Sequence, residues 1–594
     1  MRDRLSRWLP ILDWGRHYHP PDLVADLTAG LIVAGLLIPQ AMAYALLAGL
    51  PPKIGLYSAI AAPFIYAFFG TSRALSVGPV ALDSILLAAG LSVIVAPDSA
   101  DYISLAIATA LLVGGIQILM GVLRLGVLVN FVSSSVMAGF TSAASLTIAL
   151  SQFKHLLGIK LGPTSGFFSL VLETLKNVGQ TQGITLAIAL GSLALLWFGN
   201  QPFARWLQGR GLGEMARLPL TKGVPLAVMV VGTVVVAALR LDQQGVAIVG
   251  VVPAGPPQWT IPMIGSAGAS LGSQHRLLTL LPLALTIAFI SFIESFSTGQ
   301  VLARQRQQTI EADQELIAVG LANVGTAFAG GYCVAGGLSR SVVNFAAGAR
   351  TGLASMITAG VILLTALFLT PLFFYVPQAC LAAMICMAVI KLIDFKTLWK
   401  LWRYNQGDAW AFLVTFAGVL FVGIESGILV GIGFAIVLYL WRTSNPHIAI
   451  VGRLGESEQF RNIKRHTVLT CAEVLAIRID ESLYFANTKV LETSLLNAIA
   501  TSPKIEKLLL VCSGINFIDG SALDTLERLI QTLDNLGVKL YLSDVKGPVM
   551  DGLKRIGFVE RLGSDGEHRI FLSAAAAMAH FDCQLTASDG EERG

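Results

Sequence analysis

Long apolar segments follow one another from about residue 27 to Trp441, and they restrict the fold more than any other feature of the sequence. Many are about 20 residues long, the length a helix needs to cross the hydrocarbon core of a bilayer. Charged residues make up 13% of the chain, compared with about 25% in a soluble protein. The first three quarters of the chain are therefore predicted to form a polytopic α-helical membrane protein.

Fourteen segments are predicted in this region. Eleven are continuous, at 27–49, 54–70, 102–122, 131–150, 181–199, 222–240, 278–301, 353–373, 376–393, 408–424 and 427–441. Three are shorter or interrupted, at 77–95, 314–330 and 337–348. An even number puts both termini on one side, where the loops hold thirteen Lys and Arg residues against six on the other. The positive-inside rule then places both termini in the cytoplasm, with the protein in the cytoplasmic (inner) membrane.

The third and tenth segments are each broken by glycine or proline at equivalent places in two halves of seven. One contains SVGPVA at 76–81, and the other contains GGYCVAGGLSRSVVNF at 330–345. Glycine lowers helix stability by about 1 kcal/mol relative to alanine, so we predict extended backbone followed by a half-helix from Leu338. Paired interrupted segments of this kind indicate a substrate site at mid-membrane between inverted repeats.

Arg340 lies in the second of these segments, where a charge costs about 2.5–3.5 kcal/mol on insertion scales. Helix N-termini and a guanidinium at one point attract an anion. Alternatively, Arg340 is a structural charge paired with Asp83 or Glu294. Asp83 is either an ion-site residue or a cap of its half-helix. Glu294, with Thr298 one turn later, is either an ion-coupling group or a glutamate that reaches out of the membrane.

The sequence after Trp441 has the charge density of a soluble domain. Strands are predicted at 474–479, 508–511 and 539–543, and helices at 488–500 and 521–536. This order indicates a small α/β domain with a mixed sheet. The predicted parts of the chain are 1–26 (cytoplasmic N-terminal segment), 27–442 (transmembrane domain), 443–583 (cytoplasmic domain with linker) and 584–594 (polar tail).

Several classes of function are excluded by composition and motif. The net charge is only +4 with no basic cluster among aromatic residues, so nucleic acid is not an expected partner. The six cysteines show no CxxC and no metal-ligand spacing, and we expect free thiols and no metal. No Walker A or HExxH motif is present. We expect neither an enzyme nor a cofactor.

Motifs along the chain resemble those of the SulP family of anion transporters, called SLC26 in animals. The matching stretches are PQAMAYA at 39–45, GLPP at 49–52, GLYS at 55–58, SVGPVA at 76–81, SRSVVN at 339–344 and LTPL at 369–372. The end of the chain, with ID at 479–480, LYFAN at 483–487 and FIDGSAL at 517–523, resembles the STAS domain of that family.

The resemblance implies seven-plus-seven inverted repeats, divided into core and gate domains, in a homodimer that moves anions by an elevator-like displacement. The implied substrate contacts are Gln40, Tyr44, Val80, Ala81, Leu338, Ser339 and Arg340. Among relatives, an acid and a threonine at the positions of Glu294 and Thr298 serve sodium or proton coupling. The Ser-Arg-Ser form of residues 339–341 resembles the sulfate-transporting branch.

The sequence thus predicts a secondary transporter of inorganic oxyanions, with sulfate as the favoured substrate and H⁺ as the favoured coupling ion. Glu294, Thr298 and Asp83 are the candidate ion-coupling residues. A Na⁺-dependent bicarbonate transporter, an H⁺-coupled dicarboxylate transporter and an anion channel remain open. So does a membrane-tethered signalling protein that acts through its STAS domain. That domain is expected to dimerise or to bind a cytoplasmic protein, because Gly520 occupies the position at which related domains are phosphorylated.

Overall fold

The computed structural model describes residues 8–16, 18–96, 99–127, 133–161, 166–200, 202–210, 220–221, 223–252, 254–257, 273–501, 504–562, 568–582 and 584–587. The chain forms two compact units, Met1–Ala435 and Ile436–Gly594. The division falls within one helix, Ile424–Ser444, and precedes the boundary predicted after residue 442. Most of the predicted polar tail at 584–594 lies outside the described residues.

The first unit is helical apart from two short strands, β1 (Val77–Gly78) and β2 (Ala335–Gly336). Its helices are α1 (Ile11–Trp14), α2 (Pro20–Leu47), α3 (Pro52–Phe69), α4 (Ala81–Ile94), α5 (Ala100–Val122), α6 (Ser134–Ser151), α7 (Phe153–Leu157), α8 (Phe167–Asn177), α9 (Gly183–Asn200), α10 (Pro202–Gly209), α11 (Val224–Leu239), α12 (Ser273–Gln305), α13 (Ala312–Phe328), α14 (Leu338–Ala346), α15 (Leu353–Leu364), α16 (Gln378–Val389), α17 (Phe395–Tyr404), α18 (Gln406–Phe421) and α19 (Ile424–Ser444).

Many of these helices are suited to a bilayer. Within the described residues, eight are long and apolar enough to cross a membrane, and nine if the bent pair Phe167–Gln180 and Gly183–Gly199 counts as one span. A helix overlaps each of the fourteen predicted segments. Several of those helices are shorter than a full span, so fourteen crossings in a seven-plus-seven repeat stay a prediction.

Helix α2 begins before the position that the sequence suggested. It starts at Pro20 and includes Asp22 and Asp26, which we had assigned to a segment outside the membrane domain. Asp26 is fully buried and accepts hydrogen bonds from the Thr351 hydroxyl (2.6 Å) and the Arg350 backbone N–H (2.7 Å). A partner more than 300 residues away makes this charge compatible with a packed helix.

Buried polar residues join the helices around α13. The Asn323 side chain donates to Gln117 Oε1 on α5 and to the backbone carbonyl of Val334, and it accepts from the Val334 N–H. The fully buried carboxylate of Glu315 accepts from the Tyr66 hydroxyl at 2.8 Å and from the N–H and hydroxyl of Thr71. Satisfied networks of this kind fix a single packing arrangement, and they hold the segment before β2 in place.

The second unit is an α/β domain built on one mixed sheet. The strands are β3 (Ile448–Arg453), β4 (Phe460–Asn462), β5 (Leu469–Cys471), β6 (Val474–Ile479), β7 (Lys507–Val511), β8 (Lys539–Ser543), β9 (Ile570–Phe571) and β10 (Leu585–Ala587). The helices are α20 (Thr488–Ala500), α21 (Gly520–Asn535), α22 (Gly547–Arg555), α23 (Phe558–Leu562) and α24 (Ala574–His580). The strand order is β10-β5-β3-β6-β7-β8-β9, with β4 beside β3.

The predicted elements of this domain are confirmed. Strands β6, β7 and β8 pair in parallel and β3 joins β6 antiparallel, which gives the mixed sheet expected from the sequence. Gly537 lies in the turn between α21 and β8, where its left-handed backbone (φ 75°) lets the chain reverse direction. The expectation of free thiols is wrong for Cys471, which forms a disulfide, whereas Cys333, Cys380, Cys386 and Cys512 are free and buried.

The crossing of α2 and α3 depends on the absence of a side chain at Gly55. A Cβ atom there would lie 2.0 Å from the Ala41 carbonyl oxygen and 2.9 Å from Ala45 Cβ. We predict that Gly55→Ala separates the helices and lowers the free energy of unfolding by about 1–3 kcal/mol, the usual effect of overpacking. Thermal unfolding of the purified protein in detergent measures this. Gly360→Ala, in a helix where a Cβ meets no neighbour, is the control; an equal loss in both variants would refute the explanation.

Candidate functional site

Two half-helices start side by side in the membrane domain. Strands β1 and β2 pair antiparallel, with Val77 opposite Gly336 and Gly78 opposite Ala335. Helix α4 follows β1 after the N-cap Val80, and α14 follows β2 after the N-cap Gly337. Neither N-cap contributes a side-chain hydrogen bond, so the first-turn N–H groups of both helices are available to a ligand. The predicted half-helix from Leu338 is confirmed.

The two segments are also tied together by direct hydrogen bonds. The Gly337 N–H donates to the Ser76 carbonyl at 3.1 Å, and the Ser76 N–H donates to the Ser341 hydroxyl at 2.9 Å. Further along, the Asn344 side chain donates to the Ala74 carbonyl. The relative position of the two helix starts is therefore fixed by backbone geometry. Pro79 lies directly before the N-cap Val80.

A cavity of about 260 Å³ opens at these helix starts. It brings together nine of the ten residues singled out from the sequence, namely Gln40, Tyr44, Val80, Ala81, Glu294, Thr298, Leu338, Ser339 and Arg340. They come from α2, the start of α4, α12 and the start of α14. Donors from four separate elements thus converge on one small space.

Arg340 is the cation of this cavity, and it is only 2% exposed. Its Nη1 donates to the Pro79 carbonyl at 2.7 Å, whereas Nε and Nη2 have no hydrogen-bond partner in the protein. Gly337 leaves room for the guanidinium, because a Cβ there would lie 2.8 Å from its central carbon. A buried cation with unused donors is costly. The site is therefore built to receive negative charge.

Glu294 is the carboxylate of the cavity among the described residues. It lies in the middle of α12, and Thr298 one turn later faces the same space. Its Oε2 atom is buried without a hydrogen-bond partner, and Arg340 and Tyr44 are close enough to interact with it electrostatically. Glu294 is not positioned at the end of its helix, so the alternative of a glutamate that reaches out of the membrane does not fit.

Asp83 is the predicted residue that does not line the cavity. It is fully buried on α4, and neither carboxyl oxygen has a hydrogen-bond partner in the protein. It therefore does not form the helix cap considered from the sequence, nor an ion pair with Arg340. Its electrostatic neighbours are Glu294, Tyr332 and Cys333. An ion-coupling role for Asp83 stays a prediction.

The opposite wall of the cavity was not found from the sequence. It is formed by Met137, Thr141, Ser145 and Ile148 on α6 together with Ala388, Val389 and Leu392 at the end of α16. These residues are small or apolar and belong to no motif. Thr141 and Ser145 lie one turn apart on α6, but the same helix also carries Ser142 and Thr147, so the pair does not stand out in the sequence.

Comparison with known proteins indicates the family of the chain. The Sulfate permease family matches residues 23–415, and the STAS domain matches residues 466–577. Sulfate transporter 4.1, chloroplastic, from Arabidopsis thaliana is 34% identical over 570 residues, which cover 94% of this chain and 80% of the relative. High affinity sulfate transporter 2 from Stylosanthes hamata is 33% identical over 585 residues, which cover 96% of this chain and 86% of the relative.

A solved structure shows the same fold. The murine Solute Carrier 26 family member A9 anion transporter, in its inward-facing state, superposes with a TM-score of 0.86 at 24% identity. The match covers 98% of this chain and 95% of the other. At this identity the likeness concerns the fold, namely a helical transporter core followed by a STAS domain.

The position of the Arg340 guanidinium generates a prediction about Gly337. We expect Gly337→Ala to displace the guanidinium from the start of α14 and to weaken sulfate binding about tenfold, which corresponds to about 1.4 kcal/mol. A titration of thermal stability with sodium sulfate measures the affinity. Gly78→Ala is the control, because a Cβ there would lie 3.5 Å from Arg340 Nη2, an ordinary contact. Unchanged affinity in Gly337→Ala would show that the guanidinium position does not matter.

Proposed function

Because this chain belongs to the sulfate permease family, we propose that it carries sulfate across a membrane together with protons. Members of this family are transporters, so the chain is a multi-pass membrane transporter of small anions and not an enzyme. The choice of sulfate, the coupling to protons and an elevator-like movement are the finer parts of the proposal.

The observation that carries the proposal is the unsatisfied guanidinium of Arg340 beside two uncapped helix N-termini. Every hydrogen bond that sulfate makes at neutral pH is accepted by its oxygens. A site for it therefore needs donors, and Arg340, the amide of Gln40, the hydroxyls of Tyr44 and Ser339 and first-turn N–H groups supply them. The relatives described above, which are sulfate transporters at 33–34% identity, support the same substrate.

Glu294 supplies the reason to couple sulfate to protons. A carboxylate next to an empty arginine site is stabilised by the guanidinium, but a bound dianion cancels that stabilisation and repels the carboxylate. Protonation of Glu294 removes the repulsion, so sulfate and a proton bind together. The proton also lowers the electrical work of moving the dianion, which is about 2.3 kcal/mol per charge per 100 mV.

The two walls of the cavity support a sliding movement. One wall consists of hydrogen-bonded half-helices, whereas the facing residues of α6 and α16 are small or apolar. An interface without hydrogen bonds between specific partners is the kind along which one set of helices can move past another. We propose that the half-helices carry the anion past α6 and α16.

We predict that Arg340→Ala reduces sulfate uptake about 10–100-fold, because a charged hydrogen bond contributes about 1.5–3 kcal/mol. Uptake of labelled sulfate by the purified protein in liposomes measures the effect. Arg403→Ala is the control, since this exposed arginine on α17 lies over the Trp399 ring, away from the cavity. Undiminished uptake by folded Arg340→Ala would refute the proposal.

The same liposomes separate the candidate substrates and coupling ions. Sulfate, bicarbonate and succinate are offered in turn, with a proton gradient and a sodium gradient imposed separately. We expect the rate of sulfate uptake to rise when the outside is acidified and to stay the same when a sodium gradient is imposed. Sodium-driven bicarbonate uptake would retain the site but overturn both the substrate and the coupling ion.

For Glu294→Gln we predict sulfate uptake that no longer responds to a proton gradient, because glutamine imitates the protonated acid permanently. Uptake down a sulfate gradient should continue, so the variant separates binding from coupling. Glu315→Gln serves as the control, since Glu315 is equally buried but fully hydrogen-bonded away from the cavity. An unchanged pH profile in Glu294→Gln would place the coupling site elsewhere.

A further inference from the structure

Three arginines from separate segments line a second cavity, of about 460 Å³, away from the transport site. Arg73 belongs to the loop before β1, Arg306 follows the end of α12, and Arg350 follows α14. The sequence predicts all three on the cytoplasmic side. The other charged residue of the lining is Asp22, so three positive charges and one negative charge give the lining a net charge of +2. This cavity is called the arginine cavity below.

Arg306 is the fixed member of the group. Its Nη1 donates to the Ala349 carbonyl at 2.5 Å, its Nη2 donates to the Phe345 carbonyl at 3.4 Å, and its guanidinium lies 4.5 Å from the centre of the Phe345 ring. These contacts hold it in place without a carboxylate hydrogen bond in the described residues. Burial, followed by repulsion from Arg73 and Arg350, holds the pKa of Arg306 below its ordinary value, against the attraction of Asp26.

Arg73 and Arg350 are available to a ligand. Arg73 contacts Asp13 at 3.3 Å, and Arg350 contacts Asp22 at 2.8 Å. The Arg73–Asp13 pair is exposed on both sides, at 38% and 57%, and such pairs contribute little to stability. The Arg350 side chain is 58% exposed, whereas its partner Asp22 is largely buried. Asp26 is already held by the Thr351 hydroxyl and by two backbone N–H groups. Arg73 can therefore turn toward an anion at small cost, and Arg350 can offer its remaining N–H donors while Nη1 stays on Asp22.

The chemistry of the lining indicates the class of ligand. Guanidinium groups bind tetrahedral oxyanions through paired hydrogen bonds. The volume lies in the range of pockets for small organic molecules and exceeds what one inorganic oxyanion fills. Trp14 and Gln308 complete part of the wall beside the arginines. We propose that the arginine cavity binds the phosphate group of a phosphorylated organic molecule, either a lipid headgroup or a soluble phosphate ester.

Such a ligand would connect the two halves of the transport site. The loop that carries Arg73 continues into β1 and α4. Arg306 binds the end of α14 through the carbonyls of Phe345 and Ala349, and Arg350 directly follows Ala349 in the chain. A phosphate held by all three arginines would therefore link the loop before β1 to the end of α14. Its binding is therefore expected to raise the thermal stability of the membrane domain.

The test uses full-length Arg340→Ala protein, so that anion binding at the transport site does not contribute. Thermal unfolding in detergent is followed during titration with glycerol 3-phosphate, dioctanoyl phosphatidic acid, or dioctanoyl phosphatidylserine as a lipid without a phosphomonoester. We expect stabilisation by glycerol 3-phosphate if the ligand is soluble. If phosphatidic acid stabilises the protein more than phosphatidylserine does, and glycerol 3-phosphate does not stabilise it, the phosphate belongs to a lipid.

Arginine substitutions decide whether the effect belongs to the cavity. Adding Arg306→Gln should weaken binding about tenfold, equivalent to about 1.4 kcal/mol. Adding Arg73→Gln and Arg350→Gln together should do the same if Arg306→Gln fails to fold. Arg403→Gln is the matched control, because this arginine also lies over an aromatic ring but outside the cavity. No stabilisation by any probe, or equal stabilisation in all variants, would overturn the proposal.

Discussion

The membrane domain is organised around one unsatisfied charge. Arg340 is buried with two of its three nitrogen atoms unpartnered, in a region where an isolated cation is strongly disfavoured. The protein compensates only partly, through the Pro79 carbonyl. The carboxylate of Glu294 can offset the charge electrostatically, but the Nε and Nη2 donors of the guanidinium remain unused. The hydrogen bonding of the site is therefore completed only when an anion binds.

The surrounding structure holds the Arg340 guanidinium at one defined position. The β1–β2 ladder, the Ser76–Ser341 hydrogen bond and the Asn323 network determine where both half-helices begin. Gly337 then admits the guanidinium against the backbone. Since these contacts exist before any anion arrives, little ordering is left for the substrate to bring about, which is the condition for a preorganised site.

The sequence predicted one wall of the cavity and not the other, and the reason is physical. Arg340, Glu294 and the interrupted segments conflict with an apolar helix, so each one signals a special role. Met137, Ile148 and Val389 are ordinary residues of an apolar helix, so the sequence gives no indication that they line a site. Only the packing of α6 and α16 against the half-helices, set by contacts between residues far apart in the chain, assigns these residues to the site.

The same reasoning explains the early start of α2. Asp22 and Asp26 look like the end of a soluble segment because their partners, Arg350 and Thr351, lie more than 300 residues away. Local signals predicted elements well where glycine breaks a helix, as in the segment before Leu338. They failed where long-range partners satisfy a charged group by hydrogen bonds, and Asp26 is the clearest case.

Charge balance finally links Arg340 to Glu294. With Glu294 ionised, the guanidinium and the carboxylate cancel, and a bound sulfate would leave the moving site with two uncompensated negative charges. With Glu294 protonated, the guanidinium offsets one charge of the dianion and a single negative charge remains. In the proposed cotransport, a proton taken up with sulfate therefore halves the charge that crosses the membrane with the loaded site. An acid beside the arginine would also let the empty site return without a net charge.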